Sequence, residues 1–122
     1  MNKIKTVLCI DDSRVSRMKF RQLILQRDPD WAVVEAATGE EGLEIASQAM
    51  PDLITVDVNM PGMGGFGAVE QLRLTQPQAT IVLLSANIQD SLKRRADDLG
   101  VPFVEKPITE ASVARVLAFI TG

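Results

Sequence analysis

The sequence predicts an α/β domain built on a five-stranded parallel sheet, and three observations predict it. Short apolar runs alternate with stretches of helical period along the whole chain. Four of the five runs are nearly continuous, as strands buried on both faces are. All six prolines fall at or near the boundaries between the two patterns, where turn chemistry puts them. Strands that alternate with helices imply right-handed crossovers and hence a parallel sheet, although pattern alone does not set the strand order.

The first strand is read at 7 to 10, ending at Asp11-Asp12, and Ser13 is a start signal for the first helix. That helix spreads Val15, Met18, Phe20, Leu23, Ile24 and Leu25 around much of its circumference, so its packing face is not readable from spacing. The second strand, 32 to 34, begins after Trp31, a packing residue. Thr38 with Glu41 forms a capping box ahead of the second helix, whose packing residues are Leu43, Ala46 and Met50. The third strand, 53 to 56, ends on Asp57. The fourth, 81 to 84, is followed by Ser85-Ala86 and by a helix with Ile88, Leu92, Ala96 and Leu99 on one face. The fifth, 101 to 104, leads through Glu105 to Lys106 and Pro107. Thr109 then opens a last helix striped by Val113, Val116, Leu117 and Ile120.

Composition narrows the function. At 122 residues the chain is read as one domain over 1–122, without repeats or a linker. A net charge of -3 offers no general attraction to nucleic acid or to an anionic membrane. No signal peptide or run of about 18 apolar residues is present, so a cytoplasmic location without membrane insertion is expected. Cys9 is the single cysteine and reads as a small buried hydrophobe. With no histidine, a zinc site and histidine-dependent hydrolysis are both disfavoured.

If the apolar runs are parallel strands, Asp11, Asp12, Asp57 and Lys106 meet at one sheet edge, where open α/β sheets bind ligands. Three carboxylates repel one another unless a cation completes them, and hard oxygen ligands suit Mg²⁺. Asp57 is the candidate nucleophile, able to form an acyl phosphate. Of Asp11 and Asp12, one ligand is direct and the other acts through water; helix-start charge is the plainer reading of the pair. Ser85 and the Ala86 N–H are candidates for holding phosphate oxygens. Lys106 either balances charge on a transferred phosphoryl group or forms a structural ion pair.

The stretch Gly62 to Gly67 matches a dinucleotide-binding glycine pattern. Asn59-Met60-Pro61 intervenes after Asp57, however, and the stretch is expected to be a flexible loop instead. Lys93-Arg94-Arg95 reads as the solvated face of the fourth helix.

These separated pieces, Ile10-Asp11-Asp12-Ser13 with Arg17, Asp57 with Met60 to Met63 and Gly65, Ser85-Ala86, and Phe103 to Pro107, together resemble the receiver domains of bacterial two-component response regulators over nearly the full length. The resemblance implies a flavodoxin-like (βα)5 three-layer sandwich with strand order 2-1-3-4-5, the order that flavodoxin and a chemotaxis receiver follow. It implies phosphorylation of Asp57 by a histidine kinase or phosphotransfer protein, with Mg²⁺ held by Asp12, Asp57 and the backbone carbonyl of Asn59, and by Asp11 through water. Lys106 would contact the phosphoryl group beside a cis Lys106-Pro107 bond, with Ser85 and Phe103 as the switch pair. Output would pass to a protein partner through the fourth helix, fifth strand and fifth helix, about Ile88 to Gly122, so that the chain acts as a stand-alone receiver and catalyses only its own phosphoryl transfer and dephosphorylation. A flavin- or nucleotide-binding module on the same fold and a phosphorylation-independent pseudo-receiver are the alternatives.

Overall fold

In a computed structural model, which describes residues 5–60, 62–86 and 89–120, strands and helices alternate from end to end. The strands are β1 (Thr6–Ile10), β2 (Ala32–Ala36), β3 (Leu53–Asp57), β4 (Thr80–Ser85) and β5 (Phe103–Glu105). The helices are α1 (Arg14–Arg27), α2 (Gly39–Ala49), α3 (Gly64–Thr75), α4 (Asp90–Leu99) and α5 (Glu110–Ala118). All strand pairs are parallel, in the order β2-β1-β3-β4-β5. The fold is therefore the flavodoxin-like sandwich that the resemblance implied.

Strand alternation divides the core into two halves. One face carries Leu8, Ile10, Ile54, Val56, Ile81 and Leu83 against Ala46 of α2, Phe66, Val69 and Leu72 of α3, and Ala96 of α4. The other carries Val7, Cys9, Leu53, Val82, Leu84 and Val104 against Phe20, Leu23 and Ile24 of α1 and Val113, Val116 and Leu117 of α5. Tertiary packing thus resolves the face of α1 that spacing left open: Phe20, Leu23 and Ile24 are buried, while Val15 and Met18 are exposed. Trp31 packs on the same half.

The expected caps form. Ser13 Oγ accepts from the Ser16 N–H, and Thr38 Oγ1 from the Glu41 N–H, while Glu41 Oε1 accepts from the Ala37 N–H. Thr109 and Ser112 cap α5 reciprocally.

Four expectations change. Met50, assigned to the packing face of α2, is its C-cap in the left-handed region with φ 48° and is exposed, because the helix has already ended at Ala49. The fifth strand starts at Phe103, two residues late, since Pro102 has no N–H to give a ladder. The second strand runs on to Ala36. The glycine stretch is not a flexible loop: Gly64 to Gly67 form the first turn of α3, and Gly65 lies so close to the backbone of Asp57 and Val58 that any Cβ would collide with it. Ile88, expected on the packing face of α4, and Pro61 lie outside the described residues.

Candidate functional site: an acidic cluster at the strand ends

The register brings the site residues together. Ile10 pairs with Val56 and Asp57 with Leu84, so the next step of the β1 ladder sets Asp11 beside Asp57. Ser85 pairs with Glu105, which puts Lys106 one residue past the end of β5. Backbone bonds extend the ladders across this edge, from the Asp11 N–H to Ala36 O, the Val58 N–H to Leu84 O and the Lys106 N–H to Ser85 O, at 3.0, 2.9 and 2.9 Å. The alternation that buries Val7 and Cys9, Leu53, and Val104 on the α1/α5 face carries on to Asp11, Asp57 and Lys106.

Carboxylate oxygens of Asp11, Asp12 and Asp57 all lie within 4.8 Å of one another. Asp11 and Asp57 are buried and Asp12 is exposed. Lys106 Nζ donates to Asp11 Oδ2 at 2.9 Å and stands 3.6 Å from Asp57 Oδ1. The other Asp11 oxygen, Oδ1, accepts from the Ser13 N–H at 2.9 Å. Lys106-Pro107 is cis, as expected. Asn59 is exposed, and its backbone N–H hydrogen-bonds Asp57. Ser85 is fully buried and Ala86 exposed at the end of β4. Ser85 follows Leu83 on the α3/α4 face, where the half-buried Phe103 also packs, so Ser85 and Phe103 share a face that Asp57 does not.

Burial pushes the Asp57 carboxyl up from the ordinary 3.8 to about 6; the Asp11 charge adds to the rise, while Lys106 and the Asn59 N–H oppose it. Asp57 is therefore largely ionised at neutral pH, yet its charge is strained in the absence of a further cation. Burial by itself would lower the Lys106 ammonium, but its hydrogen bond to Asp11 and the charges of Asp11 and Asp57 hold it above its usual value. The donor set is all hard oxygen. The remaining soft candidate, Cys9, is buried, and that burial pushes its thiol up to about 12. The cluster can hold a metal, and its chemistry fits Mg²⁺ better than zinc.

The sequence matches the response regulator receiver domain over residues 7–118. The chain belongs to that family. A chemotaxis protein CheY of Thermotoga maritima is 32% identical, over 93% of this chain and 94% of its own length. A protein-glutamate methylesterase/protein-glutamine glutaminase 2 of Carboxydothermus hydrogenoformans is 40% identical over 88% of this chain. The chain spans only 30% of that relative and 45% of the nitrate/nitrite response regulator NarL of Escherichia coli, which is 42% identical. Among solved structures, the chemotaxis protein CheY4 of Vibrio cholerae superposes with a TM-score of 0.86 at 28% identity, covering 97% of this chain and 99% of its own.

As a receiver domain the protein is a phosphoacceptor of two-component signalling. The flavin or nucleotide alternative gains nothing from the site, because two carboxylates occupy the turn after β1 where a phosphate loop would stand. Among the described residues no helix is long and apolar enough to cross a membrane.

Sequence reasoning missed Glu35. Its Oε1 accepts from Arg17 Nε at 3.1 Å and its Oε2 from Arg21 Nη1 at 3.1 Å. The signal was a carboxylate just past the apolar run 32 to 34, with two arginines spaced i, i+4 in the first helix, but with the strand read as ending at 34 nothing set Glu35 against them.

Proposed function

We propose that residues 1–122 form one receiver domain in which Asp57 accepts a phosphoryl group from a histidine kinase or phosphotransfer protein. The observation that carries this is the convergence of Asp11, Asp12, Asp57 and Lys106 at one sheet edge. An Asp57 carboxylate oxygen attacks phosphorus, the new O–P bond forms as the donor's P–N bond breaks, and the donor imidazole takes a proton from solvent. Lys106 balances charge on the transferred group, and Ser85 with the Ala86 N–H receives its oxygens.

Asp12, Asp57 and the Asn59 carbonyl would hold Mg²⁺. Asp11 acts through water, a division supported by the fact that both its oxygens already accept hydrogen bonds. When bound, the ion supplies positive charge that offsets the carboxylates and the phosphoryl oxygens. The donor approaches over Val15 and Met18, whose exposed apolar side chains begin one turn after Asp12. Phosphorylation then shifts Ser85 and Phe103, and with them the α4-β5-α5 surface read by a protein partner in the cytoplasm. The only reactions catalysed are the domain's own phosphorylation and dephosphorylation.

The test is intact-mass measurement after incubation with acetyl phosphate and Mg²⁺. Native protein should gain one phosphoryl group and Asp57→Asn none; equal modification of both overturns the assignment.

A further inference from the structure

The Asp11-Asp12 peptide is gripped from outside the acidic cluster. Arg17 Nη1 donates to the Asp11 carbonyl oxygen at 2.7 Å, and Arg17 Nε is engaged by Glu35 Oε1 at 3.1 Å. Arg21 Nη1 binds the second Glu35 oxygen and the Val33 carbonyl, which ties the chain of charges back to strand β2. The Asp11 carbonyl belongs to the same planar unit as the Asp12 nitrogen. Its orientation decides where the Asp12 Cα, and so the exposed carboxylate, can go.

We infer that Arg17, oriented by Glu35, is a positioning residue that fixes the Asp11-Asp12 peptide plane and thereby aims Asp12 at the divalent-cation site. The inference rests on the proposed reading of that site. Two nitrogens of one planar guanidinium serve two acceptors at once, which the single nitrogen of a lysine does not reproduce. Arg17 and Glu35 are partly buried, their side chains 15% and 26% exposed, so loss of Arg17 also costs stability through the carboxylate it leaves behind, and the two effects have to be separated.

Three variants separate position from charge and from folding: Arg17→Lys, Arg17→Met, and Arg17→Met combined with Glu35→Gln, which removes the carboxylate left with Arg21 as its remaining partner. Each is titrated with Mn²⁺ alone, followed by its electron paramagnetic resonance signal. Amide hydrogen exchange is measured on the metal-free protein. Mn²⁺ affinity should fall about tenfold in all three, a change of ~1.4 kcal/mol. The Ser13 N–H, which donates to Asp11 Oδ1, should exchange faster in all three without metal, while the double variant regains the thermal midpoint of the native protein. Native affinity and Ser13 protection in Arg17→Lys would reduce Arg17 to a charge and overturn the inference. So would recovery of affinity together with stability in the double variant. If the native protein itself fails to bind Mn²⁺, the reading of the site fails instead, and the metal-free exchange data still decide whether Arg17 holds the peptide.

Discussion

Helices α1 and α4 flank the same sheet edge from opposite faces, and they are held very differently. Helix α1 has a side-chain cap at Ser13, buries Phe20, Leu23 and Ile24, and sends Arg17 and Arg21 to β2. Helix α4 has no side-chain cap at Gln89 and buries only Ala96, with Leu92 and Leu99 half-covered. Its main added tie is the Arg95 guanidinium, 4.4 Å above the ring centre of Phe66 on α3. Rigidity is thus placed where the acids need it. The helix that follows the acid pair is anchored, and the helix beside the proposed switch residues has little apolar burial to hold it in place.

Four measurements bear on that contrast. The largest effect is expected at Phe20, 1% exposed in the α1 half of the core: Phe20→Ala should cost about 3–5 kcal/mol of unfolding free energy in urea. Trimming Leu92 on α4 to Ala should cost clearly less, and equal losses would abolish the contrast.

Next is the strain at Asp57 itself. Its folded-state pKa of about 6 lies above the ordinary 3.8. A raised carboxyl favours the folded state below the unfolded value and loses that contribution as pH climbs through the folded one. Without divalent ions, Asp57→Asn should therefore be more stable than native protein above pH 6, by up to about 3 kcal/mol. The two should converge near pH 4. A constant gap across that window would show that the carboxyl is not perturbed.

The cap on α1 comes third. Ser13→Ala should cost about 1 kcal/mol in thermal or urea unfolding, whereas Gln89→Ala on α4 should cost almost nothing. The fourth measurement is at Arg95→Ala, which should cost about 0.5–1 kcal/mol but speed amide exchange throughout α4 while leaving α1 unchanged. Unaltered α4 exchange would mean that Ala96, Leu92 and Leu99 hold the helix alone.

Much of the site is legible in the order of residues alone. Asp11, Asp12, Asp57 and Lys106 each stand just past an apolar run, and parallel strands send such ends to a common edge. How they divide the work is not written there. Lys106 bonds directly to Asp11 and lies farther from Asp57, so one side chain forms the structural ion pair and stands within reach of a group on Asp57. The loop after Asp57 suggests an open carboxylate, yet the residue is 5% exposed, with Lys106 and Asp11 standing against its carboxylate from neighbouring strand ends. Met50 fits the apolar period of α2 without belonging to its packing face. Period does not mark where a helix stops, and here a left-handed residue ends it.

The element order, the caps at Ser13, Thr38 and Thr109, and the placement of acids at strand ends are all determined by sequence alone. Each is encoded by residues within one turn or one strand of each other. Which face of α1 is buried, which acid Lys106 meets across 95 positions of chain, and how Glu35 reaches Arg17 were decided only by tertiary structure. Those outcomes depend on distances between elements far apart in the chain. Only the closed packing of helices on a sheet of fixed register sets such distances.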